Sequence, residues 1–190
     1  MEKLSGVDNE EIYHKFMMLS LHGQSKDALA KTQLGEWEYD IISPAYKCNM
    51  TDIMAAIGLG QLERYDDLLE KRRQLIEVYD NGLDGMCIDK LKHYTDTYTS
   101  SGHLYLTRIG GNSGAYRDLC IIKMAENGIA CNVHYKPLPM HTAYKSLGFD
   151  MKDYPNAYKQ FENEITLPLN SKMTLQDAEY VAETLKGIHK

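Results

Sequence analysis

With 190 residues, 43% hydrophobic content and 25% charged residues, the chain has apolar material for a proper core, as one large domain or as parts of two. Its net charge of −6 argues against a general nucleic-acid binder, which would carry a basic stripe; the basic run Lys71-Arg72-Arg73 is diluted by acidic neighbours and reads as a solvated helix face. No apolar run approaches the ~20 residues of a membrane span, the N-terminal MEKLSGVDNEE lacks a signal-peptide core, and Cys48, Cys87, Cys120 and Cys131 include no C-x-x-C pair. These features fit a cytoplasmic protein with reduced thiols, and neither a zinc site nor a disulfide framework is indicated.

In chain order, Asp8-Asn9-Glu10-Glu11 reads as a helix start, with Asp8 as N-cap and Glu11 as its capping-box partner. Ile12, Phe16 and Leu19 would form its buried stripe, and His22-Gly23 its stop, with glycine as the C-cap. The polar segment 24–43 carries Trp37 and Tyr39, which favour an ordered, packed loop. The organising stretch is 43–83: an irregular entry, Pro44-Ala45-Tyr46-Lys47-Cys48-Asn49-Met50, then a helix capped by Thr51 or Asn49. Apolar residues recur at helical spacing from Ile53 to Leu83, which predicts one long helix over 51–85 with a bend near Gly58 or Gly60. Ala55, Ala56, Gly58 and Gly60 would admit close backbone approach by another element.

Beyond it, 86–102 reads as a variable connection, 103–109 as a strand stopped by Gly110-Gly111, and 129–135 as a second strand broken by Pro137 and Pro139. Between those strands Ser113 caps a helix through Leu119, Ile122 and Met124, closed by Gly128. Glu164-Ile165-Thr166-Leu167 is a third strand, and Thr174-x-x-Asp177 a capping box for a last helix with Leu175, Ala178, Val181, Leu185 and Ile188 inward. The expected architecture is α+β: a long linking helix plus a small domain of a short sheet with helices packed on it. The boundaries are 1–50, 51–85 and 86–190.

Few residues in this pattern carry chemistry. His134 is either a polar residue on an open sheet face or a strand-end imidazole facing a cleft. Lys47 and Asn49 are either exposed turn residues or anion donors beside a helix N-terminus. Neither Gly58-x-Gly60 nor Gly110-Gly111 has the strand-to-helix setting of a phosphate loop, and the His134–His141 spacing does not suit a metal.

Several separate motifs, in one order, carry a resemblance. They are Leu21-His22-Gly23-x-Ser25-Lys26-Asp27-Ala28, Trp37-x-Tyr39-Asp40, the run from Pro44 through Thr51-Asp52-Ile53 to Gly58, Gln61-Leu62 and Arg72-Arg73. Val133-His134-Tyr135-Lys136-Pro137-Leu138-Pro139, Leu167-Pro168-Leu169 and Met173-Thr174 follow. Together they resemble the DegT/DnrJ/EryC1/StrS family of pyridoxal-phosphate-dependent nucleotide-sugar aminotransferases, α/β proteins of fold type I. The resemblance implies amino transfer from glutamate to a nucleotide-linked keto-sugar, with UDP-linked 4-keto sugars for cell-envelope glycans the nearest pattern. It implies that Lys47 or Asn49 reaches the cofactor phosphate in a partner subunit, and that Tyr46, His134 and Tyr135 face the sugar.

In such enzymes the Schiff-base lysine and the aspartate on the pyridine nitrogen lie upstream of the segment this chain matches. The resemblance therefore places 1–50 at the end of the large cofactor domain and implies no catalytic residue here. By the same reading the chain alone binds no pyridoxal phosphate, and a homodimer or an N-terminal half completes it. It departs from the family pattern at Ala45, Cys48 and Met54, and an alanine in place of a positive-φ glycine would strain the loop by about 1 kcal/mol or more.

Overall fold

The computed structural model describes residues 9–24, 40–111 and 113–189. These residues form seven α-helices and three strands: α1 (Asn9–Ser20), α2 (Asp52–Leu62), α3 (Tyr65–Gly82), β1 (Ile88–Lys90), β2 (Tyr105–Ile109), α4 (Gly114–Glu126), α5 (Thr142–Ser146), α6 (Pro155–Phe161), β3 (Glu164–Leu167) and α7 (Leu175–Ile188). The chain divides into two units, Met1–Leu62 and Glu63–Lys190.

In the first unit α1 ends as its sequence dictates. His22 and Gly23 take φ of 61° and 73°, and the Gly23 N–H donates back to the Met18 carbonyl at 2.8 Å. Only glycine fits there: a Cβ on Gly23 would stand 1.8 Å from the Ser43 carbonyl oxygen. The entry loop is held against this end of α1 by main-chain bonds, Tyr46 N–H to Leu19 O (3.0 Å), His22 N–H to Tyr46 O (2.8 Å) and Cys48 N–H to Ser20 O (3.0 Å). Thr51 caps α2, its hydroxyl accepting the Met54 N–H at 3.3 Å, and Asp52 adds a charge that the helix dipole favours.

Three expectations fail in this unit. Ile12, Phe16 and Leu19 do not form a buried stripe, because no residue of α1 is buried and Phe16 is 68% exposed. Ala45 needs no left-handed conformation, because among the described residues the non-glycine residue with positive φ is His22. At Gly58 and Gly60 nothing lies within 4 Å of an added Cβ, so neither marks a close approach among the described residues. Asp8, Trp37 and Tyr39, with most of the 24–43 loop, lie outside the described residues.

The expected single helix over 51–85 is two helices, interrupted at Glu63 and Arg64 rather than at a glycine. Their compositions explain a break. α2 is apolar on every side, whereas α3 is amphipathic, and Asp66 and Asp67 suit the positive end of a new helix dipole at Tyr65.

The second unit holds the core. Its sheet is antiparallel in the order β1-β2-β3. Leu75, Ile76 and Tyr79 of α3, Tyr105 and Ile109 of β2, Ile165 and Leu167 of β3, and Ala178, Val181 and Leu185 of α7 form one buried cluster. α7 begins with the expected box: Thr174 Oγ1 accepts the Asp177 N–H and Asp177 accepts the Thr174 N–H. Ser113 caps α4, but the buried stripe there is Arg117, Cys120 and Met124, leaving Leu119 and Ile122 exposed.

The segment 129–135 is not a strand. It makes one antiparallel bridge, Asn132 with Thr166, after which the Asn132 side chain takes the Val133 N–H at 2.8 Å and diverts it from a ladder. β1, in what reads as a variable connection, supplies the third strand instead.

Candidate functional site

Register sorts the side chains of β2 and β3 between two faces. Tyr105 pairs with Leu167 and Thr107 with Ile165, on the face that joins the buried cluster. Leu106 with Thr166 and Arg108 with Glu164 therefore share the other face. That second face floors a cleft of about 420 Å³, walled by Gln160 and Phe161 of α6 and by His134 and Tyr135. The size suits a small organic ligand.

The buried Arg117 of α4 braces Phe161 in one wall. It donates to the Phe161 carbonyl at 2.9 Å and to the Glu164 carbonyl at 3.4 Å, with its guanidinium carbon 4.8 Å from the Phe161 ring centre. Arg108 spans the floor, bonded to Gln160 Oε1 at 3.0 Å and Asn163 Oδ1 at 3.3 Å, with Asp89 Oδ2 at 3.7 Å.

His134 lies within this cleft, with Tyr135 beside it at 4.5 Å between ring centres and a cis peptide joining the two. Its Nδ1 is 2.8 Å from Thr166 Oγ1. The Thr166 hydroxyl donates to Glu164 Oε1 at 2.5 Å, and Glu164 Oε2 accepts the His134 backbone N–H at 2.8 Å. Burial lifts the Glu164 carboxyl above the usual carboxylate range, opposed by the bonds from Thr166 and the His134 N–H and by the nearby His134 and Arg117.

Of the residues picked out from sequence, His134 and Tyr135 are brought together here. Tyr46, Lys47 and Asn49 belong to the other unit, where the loop backbone is pinned to α1 and all three side chains are exposed. Arg108, Gln160, Glu164 and Thr166 are additions. The signal for two of them was present in Glu164-x-Thr166, polar residues two apart in a strand whose neighbours are apolar. Among the described residues no cluster of His, Cys, Asp and Glu could hold a metal. All four cysteines are free, and burial pushes the Cys131 thiol up to about 12, which leaves it unreactive.

The sequence profile of the DegT/DnrJ/EryC1/StrS aminotransferase family matches residues 6–186. The chain belongs to that family. Among curated relatives, it is 34% identical over 190 residues to the spore coat polysaccharide biosynthesis protein SpsC of Bacillus subtilis, covering 97% of this chain and 48% of SpsC. It is 30% identical over 181 residues to the UDP-4-amino-4,6-dideoxy-N-acetyl-beta-L-altrosamine transaminase of Campylobacter jejuni, covering 95% of this chain and 46% of that enzyme. Among solved structures, Spr1654 of Streptococcus pneumoniae in its PMP form superposes with a TM-score of 0.79 at 58% identity, over 96% of this chain and 46% of that one. Spr1654 is also known in apo and PLP forms. The chain thus spans about half the length of the curated relatives it matches.

Pyridoxal phosphate needs an amine for its aldehyde, an acid for its ring nitrogen and donors for its phosphate. Lys47 and Asn49, exposed on their loop, fit the last of these. The cleft does not fit the first two. Lys90 at its edge gives its ammonium to the Asp80 carbonyl at 2.7 Å, while Asp89 faces Arg108 and Glu164 is occupied by Thr166 and His134. No step through the cofactor follows from these residues.

Among the described residues no helix is long and apolar enough to cross a membrane.

Proposed function

We propose that this chain is the C-terminal portion of a pyridoxal-phosphate-dependent aminotransferase of fold type I. That enzyme moves an amino group from glutamate to a nucleotide-linked keto-sugar for cell-envelope polysaccharide, in the cytoplasm. On this reading 1–50 closes the large cofactor domain, 51–85 is the linking region and 86–190 is the small domain. Lys47 and Asn49 donate to the cofactor phosphate in a partner subunit, and Tyr46, His134 and Tyr135 face the sugar. The cofactor supplies the electron sink. The chain alone is inactive, because the lysine that carries the cofactor is not among its residues.

The observation that supports the reading is the cleft on the second sheet face, where His134 is fixed by two buried polar residues beside Arg108, Gln160 and Tyr135. Such a mixture of hydrogen-bonding groups over apolar walls suits a hydroxyl-rich ring. Titration of the 15N-labelled chain with UDP-N-acetylglucosamine tests it. We expect saturable amide shifts centred on His134, Tyr135 and Arg108, weakened roughly tenfold in His134→Ala, a hydrogen bond's worth of affinity. Absence of saturation, or an unaltered titration in His134→Ala, would remove the sugar from this cleft.

A second reading, a non-catalytic sugar-nucleotide-binding or dimerisation module or one half of a split aminotransferase, is favoured by α2, whose Ile53, Ile57 and Leu62 are all exposed. It requires association, and a compact monomer by light scattering would count against it.

A further inference from the structure

Glu164, Thr166 and His134 form an unbranched chain of hydrogen bonds, and with Glu164 ionised its proton count is fixed. Thr166 has one hydroxyl proton, which it gives to Glu164 Oε1 at 2.5 Å. Its contact with His134 Nδ1, at 2.8 Å, must then be completed by a proton on that nitrogen. Neutral imidazole carries one N–H, so Nε2 keeps a bare lone pair. Two observations hold the arrangement in place. Glu164 and Thr166 are each 5% exposed, which excludes competing water, and the second carboxylate oxygen is occupied by the His134 backbone N–H.

We propose that Glu164 and Thr166 are positioning residues that hold His134 as the Nδ1-protonated tautomer, so that Nε2 serves the cleft as a hydrogen-bond acceptor for a ligand hydroxyl. The role in ligand binding rests on the sugar reading of the cleft; the tautomer itself does not.

The test is a long-range 1H–15N spectrum of the 15N-labelled full chain without ligand, with His134 assigned by its loss in His134→Gln. Slightly above neutral pH we expect pyrrole-type Nδ1 and pyridine-type Nε2, in roughly tenfold excess over the other tautomer. Thr166→Ser should retain that pattern, whereas Thr166→Val should lose the excess. A wild-type spectrum with the proton on Nε2, or a folded Thr166→Val with an unchanged pattern, would overturn the proposal. Should Thr166→Val fail to fold, the wild-type and Thr166→Ser spectra decide alone. Because no ligand is present, failure here is separate from failure of the chain to bind a sugar nucleotide.

Discussion

Residues Glu63–Lys190 bury Leu75, Tyr79, Tyr105 and Leu185 completely, whereas in Met1–Leu62 neither α1 nor α2 buries a single residue. Both regions are rich in apolar side chains, so composition does not separate them. What separates them is whether the apolar positions recur on one face with a partner opposite. α3 and α7 do this, and their stripes close on the sheet. α2 is apolar all round, the pattern of a helix surrounded by other protein rather than of one facing water. The second unit therefore holds the buried core, while α1 and α2 leave their apolar side chains exposed.

The largest expected effect separates these two environments. Leu185→Ala should lower unfolding stability by about 2–5 kcal/mol, the range for a core leucine. Ile57→Ala on α2 should change it by less than about 0.5 kcal/mol, as exposed positions do. Urea titrations of both would check this, and comparable losses would show that α2 packs within the chain.

Among the described residues of the first unit, Gly23 is a tight point. Gly23→Ala combines a left-handed φ with a clash against the Ser43 carbonyl and should cost that unit about 2 kcal/mol or more. Amide exchange at His22, Tyr46 and Cys48 should quicken while the core amides of β2 and β3 stay protected. Uniform loss of protection would show that the effect of the substitution is not confined to the first unit.

The smallest effect depends on pH. His93 is 3% exposed, stacks on Tyr105 and bonds through Nδ1 to Ser100 Oγ, with Nε2 unpaired among the described residues. Burial holds its pKa below the ordinary histidine value, opposed by Asp80. The folded chain thus binds fewer protons than the unfolded one below about pH 6.5. The stability contributed by neutral His93 is whole above that pH and is lost as the pH falls through it toward the lower folded value. The slope is at most about 1.4 kcal/mol per pH unit for one proton. His93→Phe keeps a ring against Tyr105 and should flatten this slope in urea titrations; identical pH profiles would show that another group sets it.

The parts of the fold that were legible in sequence carry local signals. Thr174 and Asp177 lie within one turn, Gly23 and Gly128 take positive φ at helix ends, and β2 and β3 are short runs rich in strand-forming Tyr, Ile, Thr and Leu. What misled was decided elsewhere. The alternation from Ile129 to Tyr135 imitates a strand until the Asn132 side chain takes the next N–H. β1 has three residues, too few for any period to show. In the site, His134 stood out by residue type, but Glu164 and Thr166 are 30 and 32 positions away from it, and only the fold reveals what they hold.

We propose that the cleft faces the sugar, that the Lys47–Asn49 loop reaches the cofactor phosphate, and that no lysine among the described residues bonds the cofactor. An absorbance spectrum from about 300 to 500 nm with added pyridoxal phosphate, before and after borohydride, tests it most directly, because reduction would trap any lysine aldimine. We expect no aldimine band and no reduced adduct on the chain alone. A stoichiometric adduct mapped to one lysine, such as Lys47 or Lys90, would contradict it.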